Sequence, residues 1–217
     1  MRANGDRTSP REKPISDATL VMAGVAGAVL AGGSSRRMGR DKALAVVDGV
    51  PMIERVCGVL RGRVAPVIVA GGYPKRYAFV GCRVVPDEMP GLGPLAGIYT
   101  ALRCVHTPWC VVVACDMPRL QPEVIDAIAA ARRPNVDAVV ADAGRGLEPL
   151  CAAYHQRVIA GMSDQLRSGH LAVHDWIASL AVAVVPLAGP LADAITNVNT
   201  SEDLKRARGC SPGDTGV

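Results

Sequence analysis

A run of positively charged residues follows a short apolar stretch near the start of the chain, within VLAGGSSRRMGRDKAL (residues 29–44). Gly32 and Gly33 permit backbone conformations that bring successive N–H groups close to an anion. Four basic residues come after them: Arg36, Arg37, Arg40 and Lys42. Guanidinium groups bind phosphate through paired hydrogen bonds, and the segment directly follows a stretch that is typical of a buried strand. We therefore predict a phosphate-binding loop here, with a solvated basic loop as the alternative.

Two standard phosphate-binding motifs do not describe this loop. The Walker pattern G-x-x-x-x-G-K-[ST] has four residues between its glycines and a lysine after the second glycine. Here five residues separate Gly33 from Gly39, and Arg40 follows. A dinucleotide-binding pattern, G-x-G-x-x-[GA], occurs at Gly91, Gly93 and Ala96. It follows an acidic loop with a proline instead of a strand, so we interpret it as a turn.

Two acidic residues follow predicted strands and are candidates for binding a metal ion. Asp116 comes directly after the apolar run WCVVVAC, and Pro118 then ends that strand. A carboxylate in this place needs a positive partner, and Mg²⁺ beside a phosphate loop is favoured over capping of the next turn. Asp87, at the end of RVVPDE, is suited to bind the same metal or to accept hydrogen bonds from a ribose or base. We do not expect Cys115 to be a nucleophile, because a thiol at a strand end is usually inert.

Short apolar runs rich in β-branched residues alternate with helical patterns along the chain. The predicted strands are residues 25–30 and the runs APVIVAGG, CRVVPDE, WCVVVAC, VDAVVAD, EPLCAAYH and VAVVPLAG. The alternation of strands and helices, with continuously apolar strands such as WCVVVAC, predicts a mostly parallel sheet covered by helices on both faces, a single-domain, three-layer α/β/α architecture. Ligands bind at the carboxyl ends of strands in such sheets. This places the basic loop, Asp87, Asp116 and the late segment NVNTSED at one edge.

Turn and cap residues delimit the predicted helices. Asp48 and Gly49 predict a turn, and Pro51 predicts the start of a helix directly after it. Further helical patterns lie in GPLAGIYTALRCV, QPEVIDAIAAAR, QRVIAGMSDQLRSG and HDWIASL. Thr200 or Ser201 is expected to cap a final helix that starts in TSEDLKRAR.

The composition limits the classes of function. Apolar residues make up 49% of the 217 residues, which predicts a globular protein. The net charge is only +4 and aromatic residues are 3%, so we expect no nucleic acid as a partner. We identify no apolar stretch suited to a membrane span and expect no membrane partner. Seven cysteines without a C-x-x-C pair predict reduced thiols in a cytoplasmic protein.

Five motifs taken together carry a family resemblance: LAGGSSRRMGRDKAL, GPLAGI, CDMP, EPLCAAY and NVNTSEDL. In this order they resemble the molybdenum cofactor guanylyltransferases, the MobA family, over nearly the whole chain after its first residues. The resemblance implies a nucleotide-diphospho-sugar-transferase-like (Rossmann-like) fold. It also implies transfer of GMP from GTP to Mo-molybdopterin, with release of pyrophosphate and with Mg²⁺ as cofactor.

The resemblance also implies roles for individual residues. GTP binding falls to Leu30, Ala31, Gly32, Gly33, Lys42, Asp87 and Asp116. Asp116 would also hold Mg²⁺, and Asn197 and Asn199 would contact the pterin side of the second substrate. Because the molybdopterin phosphate is itself the nucleophile, catalysis requires positioning and charge neutralisation. We expect these from Arg37 and Lys42 and from the Mg²⁺ that Asp116 would hold.

Three other functions stay open. A cytidylyltransferase of the same cofactor is one, although such enzymes tend to have LAAG where this chain has LAGG and to lack GPLAG. A sugar-1-phosphate nucleotidyltransferase and a non-catalytic carrier of the finished cofactor are the others. For the guanylyltransferase function we expect GTP and Mo-molybdopterin as partners, together with a molybdoenzyme or other cofactor-biosynthesis proteins. We expect residues 1–21 to be a flexible extension, 22–210 the nucleotidyltransferase domain and 211–217 a flexible tail.

Overall fold

The structure, a computed structural model, describes residues 21–32 and 41–208. Within these residues the strands are β1 (Val25–Leu30), β2 (Val46–Val47), β3 (Val50–Pro51), β4 (Val67–Ala70), β5 (Arg83–Val85), β6 (Trp109–Ala114), β7 (Ala138–Asp142), β8 (Leu147–His155) and β9 (Val182–Pro186). The α-helices are α1 (Met52–Arg61), α2 (Pro94–Cys104), α3 (Pro122–Ala130), α4 (Ile159–Arg167), α5 (Val173–Ala178), α6 (Pro190–Ala194) and α7 (Ser201–Arg208). Short 3-10 helices lie at Lys42–Leu44, Ala78–Val80 and Gln156–Val158.

Seven of the strands form one sheet in the order β5-β4-β1-β6-β8-β7-β9. β8 runs antiparallel to β6 and β7, and the other neighbouring strands are parallel. The predicted mostly parallel sheet is therefore confirmed. β1 lies between β4 and β6 and pairs with both up to its last residue, Leu30. The segments that follow these three strands consequently leave the sheet at the same edge.

Alternate residues of β1 pack into two cores, one on each face of the sheet. Val25 and Val29 belong to the core built with α1 and α3. Ala26, Ala28 and Leu30 belong to the core built with α2, α4 and α5. A strand covered on both faces has no polar side, which explains why its sequence is continuously apolar. The predicted three-layer α/β/α arrangement is confirmed.

A small hairpin of β2 and β3 precedes α1, and the sequence analysis predicted only its turn. Asp48 and Gly49 both have positive φ, 48° and 80°, as a two-residue turn between antiparallel strands requires. Pro51 ends β3 and α1 begins at Met52, one residue after the predicted start. Strands of two residues are too short to show the alternation by which strands are recognised.

The helices are short. The longest described helix, α2, has 11 residues, and α6, which was not predicted, has 5. A helix of one turn leaves no 3.6-residue period to detect in the sequence. Among the described helices, none has the combination of length and apolar character needed to cross a bilayer.

Candidate active site

Lys42 and Asp116 form an ion pair at the carboxyl edge of the sheet. Asp116 follows β6, and the N–H of Cys115 still donates to the carbonyl of Leu30, so the ladder with β1 continues to the edge. Lys42 comes from the segment that follows β1, and its Nζ lies 2.5 Å from Oδ2 of Asp116. The two side chains are 17% and 18% exposed. The structure thus brings together the lysine and the acid that the sequence analysis selected.

The second carboxylate oxygen of Asp116 is suited to a cation. Oδ1 is buried and has no hydrogen-bond partner among the described residues, which is a costly arrangement for a charged group. A hard divalent cation takes carboxylate oxygens as ligands, so Asp116 fits Mg²⁺. The described residues contain no cluster of three or more metal-ligating side chains. A site of this kind is typical of Mg²⁺ that takes its remaining ligands from substrate phosphates and water.

Asp41 fixes the segment that carries Lys42. Its Oδ1 accepts the N–H of Ala43 at 3.2 Å and caps the 3-10 helix Lys42–Leu44. Its Oδ2 accepts from the hydroxyl of Tyr77 at 2.8 Å and from the guanidinium of Arg76 at 3.0 Å. Burial, and then the hydrogen bond to Asp41, raise the pKa of Tyr77 well above its usual value. Asp41 therefore ties the segment after β1 to the segment after β4, a role that the sequence analysis did not identify.

Asn199 completes the surroundings of Lys42. Its amide oxygen accepts a hydrogen bond from Nζ of Lys42 at 2.7 Å. The backbone N–H groups of Asn199 and Thr200 donate to Oδ2 of Asp203, and the N–H of Asp203 donates to Oγ1 of Thr200. Thr200 is thus the N-terminal cap of α7, which was one of the two residues predicted for that position. The hydrogen bond with the Thr200 side chain is the main cause that lowers the pKa of Asp203, and the hydrogen bonds from the backbone act in the same direction.

Asn197, the other predicted pterin-side residue, lies in a different environment. It lines a cavity of about 270 Å³ together with Arg119 and residues of α7. Within the described residues its Oδ1 is buried without a hydrogen-bond partner. The structure therefore places Asn199 at the Lys42–Asp116 pair and Asn197 at a separate cavity.

A second cavity, of about 350 Å³, lies beside Asp87. It is lined by Leu30, Gly32, Asp87, Gly91, Gly93, Pro94, Gly97 and Leu150. Three of the predicted GTP-binding residues thus share one cavity: Leu30, Gly32 and Asp87. Ala31 connects the first two, and its N–H continues the ladder to Ala70 of β4 at 2.9 Å. The cavity opens at the same sheet edge as Lys42 and Asp116.

The cavity contains residues that the sequence analysis did not assign to the site. Gly91 and Gly93 have positive φ, 89° and 78°, so the turn interpretation fits the two glycines, whereas Ala96 of the same pattern lies in α2. Both glycines also line the cavity. Gly97 of α2 faces Leu30, and a Cβ added there would lie 3.4 Å from Cδ1 of Leu30. The GPLAG motif in the sequence could have indicated this side of the cavity, whereas no local sequence pattern indicated Leu150 on β8.

Cys115 has the chemistry of an inert thiol. Burial raises its pKa to about 12, and the negative charge of Asp116 acts in the same direction. The thiol therefore stays protonated at neutral pH, in agreement with the prediction that it is not a nucleophile. Two further predicted residues, Gly33 and Arg37, lie in residues 33–40, outside the described part of the chain. Their roles stay predictions.

Comparison with known families tests the resemblance. The model of the MobA-like NTP transferase domain matches residues 27–184, well over half of the chain. The chain belongs to this family. Membership makes it a nucleotidyltransferase, and the match includes β1 from residue 27 onward, the Asp87 segment and Asp116.

Individual relatives agree with the family assignment. A protein of Pelotomaculum thermopropionicum named "Probable molybdenum cofactor guanylyltransferase" is 41% identical over 187 residues, which cover 84% of this chain and 91% of the relative. A molybdenum cofactor guanylyltransferase of Desulfosudis oleivorans is 30% identical over 192 residues, covering 86% and 95%. The crystal structure of molybdopterin-guanine dinucleotide biosynthesis protein A from Archaeoglobus fulgidus superposes with a TM-score of 0.70 at 27% identity, covering 84% and 96%. The resemblance and the predicted fold class are confirmed.

Proposed function

We propose that this chain transfers GMP from GTP to Mo-molybdopterin, forming molybdopterin guanine dinucleotide and pyrophosphate. The observation that carries the proposal is the Lys42–Asp116 pair, which lies at the same sheet edge as the Asp87 cavity. A nucleotide requires both features, because its base and ribose need a cavity and its phosphates need positive charge. The names of the relatives support the choice of GTP and the molybdenum cofactor as substrates.

The residues divide the work of transfer between them. The nucleoside occupies the cavity lined by Leu30 and Gly32, where Asp87 accepts hydrogen bonds from it. Lys42 binds phosphate and, with the predicted Arg37, neutralises the charge that develops during transfer. Because the molybdopterin phosphate is already a nucleophile, no side chain has to remove a proton from it. Positioning of the two phosphates therefore supplies most of the acceleration.

Mg²⁺ is the proposed cofactor, and Asp116 is the residue that would hold it. When bound, the ion would neutralise phosphate charge and orient the phosphate groups. The chain's own contribution is the fixed position of Asp116, whose backbone carbonyl accepts the N–H of Val198 at 2.9 Å. Asn199, next to Lys42, would hold the phosphate end of the second substrate, and Asn197 stays a predicted pterin contact.

The wider context of the proposal follows from the substrates. GTP and Mo-molybdopterin are the small-molecule partners, and a molybdoenzyme or another cofactor-biosynthesis protein receives the product. A cytoplasmic location is supported by the thiols, because the six cysteines of the described residues are free. Residues 22–210 stay the predicted extent of the catalytic domain.

Calorimetry with Mg²⁺ and GTP, CTP or ATP tests this function. We expect the wild type to prefer GTP and Asp116→Ala to bind it at least about tenfold more weakly. Asp126→Ala is the matched control, since it makes the same substitution at an acid that pairs with Arg63 at 2.9 Å near the amino end of β1, and we expect it to leave GTP binding unchanged. A preference for CTP would assign the chain to the cytidylyl branch. Binding of none of the three would contradict the proposal and favour the carrier.

Turnover is the second measurement. Wild-type protein supplied with GTP, Mg²⁺ and Mo-molybdopterin should release pyrophosphate only when all three are present. Asp116→Ala should lower the rate roughly 100-fold to 1,000-fold, because the residue that would hold the charge-neutralising Mg²⁺ is lost. GTP binding without pyrophosphate release would contradict the transfer step while leaving nucleotide binding in place.

A further inference from the structure

Thr100 is an unusual residue in the core beneath the Asp87 cavity. Apart from the aromatic Tyr154 and the cysteines, it is the single residue with a polar side chain that the described part of the chain buries completely. Its neighbours along α2 are apolar core residues, among them Ile98, Ala101 and Leu102. A hydroxyl in such a place costs free energy unless it is hydrogen-bonded, so packing alone would favour an apolar side chain.

The hydrogen bonds of Thr100 leave the helix instead of returning to it. Helical threonines often donate to the carbonyl four residues earlier, which keeps their hydroxyl satisfied locally. Here Oγ1 accepts the backbone N–H of Glu88 at 3.0 Å. A threonine hydroxyl has a single proton, and Thr100 donates it to Oδ1 of Asp87 at 3.0 Å. The direction of both bonds is fixed, because a backbone N–H can only donate and an ionised carboxylate can only accept.

Asp87 is thereby held through one of its two oxygens. Oδ1 also accepts the N–H of Met89 at 3.1 Å, so two donors from two segments fix it. Oδ2 accepts no hydrogen bond from the residues that the structure describes. Asp87 lines the 350 Å³ cavity, which gives this oxygen a place to meet a ligand.

We infer that Thr100 is a positioning residue, which occupies Oδ1 of Asp87 and leaves Oδ2 to accept a hydrogen bond from the nucleotide. The inference rests on the proposed function for the identity of that nucleotide. Thr100 itself makes no contact with the ligand, because it has no exposed surface. Its effect on nucleotide binding passes mainly through Asp87, with the backbone of Glu88 as its second partner.

A ligand-free measurement tests the first half of this inference. Thr100→Val keeps the shape of the side chain and removes the hydroxyl, and Thr100→Ser restores the hydroxyl. Amide hydrogen exchange at Met89 reports on Asp87, since that N–H donates to Oδ1. We expect exchange at Met89 to be several-fold faster in Thr100→Val and close to wild type in Thr100→Ser. Unchanged exchange in Thr100→Val would show that Thr100 does not hold Asp87.

Nucleotide binding tests the second half. GTP should bind Thr100→Val roughly tenfold more weakly, as expected for a lost hydrogen bond to a charged group, and Thr100→Ser close to wild type. In the background of Asp87→Ala, Thr100→Val should have a much smaller effect, because its side-chain partner is already missing and only the bond from the N–H of Glu88 remains to be lost. An equal loss in both backgrounds would overturn the inference, as would unchanged GTP binding by Thr100→Val. A wild type that binds no GTP contradicts the proposed function instead, and exchange at Met89 then decides the positioning role separately.

Discussion

The amide oxygen of Asn199 lies 2.7 Å from Nζ of Lys42, although 157 residues separate them in the chain. The same Nζ pairs with Asp116. The segment after β1, the segment after β6 and the segment before α7 therefore meet at a single ammonium group. A phosphate that approaches Lys42 comes within reach of all three.

Replacing Asn199 tests whether this contact serves the nucleotide. Asn199→Ala removes an acceptor that orients Nζ of Lys42, so we expect GTP to bind roughly tenfold more weakly in calorimetry. Asn197→Ala is the matched control, because Asn197 lines the separate cavity with Arg119. We expect it to leave GTP affinity unchanged. Equal losses from both variants would contradict the different placement of the two asparagines.

Replacing Lys42 distinguishes binding of the phosphates from binding of the nucleoside. Lys42→Met should weaken GTP binding and lower turnover roughly 100-fold to 1,000-fold, while binding of guanosine stays unchanged because the nucleoside cavity is intact. Lys42→Arg should not restore the rate, since a planar guanidinium does not reproduce the position of an ammonium group. Turnover by both variants is measured as pyrophosphate release.

The exposed lysine of α7 supplies the control for that experiment. Lys205→Met removes the same charge at an exposed position of α7, and we expect wild-type turnover from it. If Lys42→Met lost guanosine binding as well, Lys42 would contact the nucleoside and its assignment to phosphate would be wrong.

The sequence predicted the parts of the site that follow from local pattern. Lys42 was identified as part of the basic loop that follows β1, and Asp116 because it directly follows an apolar run. β1 itself was predicted with the bounds that the structure has. The contact between Asn199 and Lys42 could not be predicted, because no local pattern reports a pairing across 157 residues. Thr100 was equally hidden, since one polar residue in an apolar helix looks like an ordinary surface position until its burial is known.

Two cysteines allow a prediction about alkaline stability. Burial raises the pKa of Cys110 in β6 and Cys151 in β8 to about 12, against an ordinary value of 9.0. Because the folded state holds these protons more tightly, each thiol contributes stability that is complete below pH 9.0 and is lost progressively as the pH rises towards 12. We expect the free energy of unfolding in urea to fall from about pH 9 upwards, on the order of 1 kcal/mol per pH unit for each thiol.

The double variant Cys110→Ala, Cys151→Ala is less stable at every pH because of its cavities, but its decline above pH 9.0 should be shallower. Parallel declines in the variant and the wild type would show that other groups cause the loss.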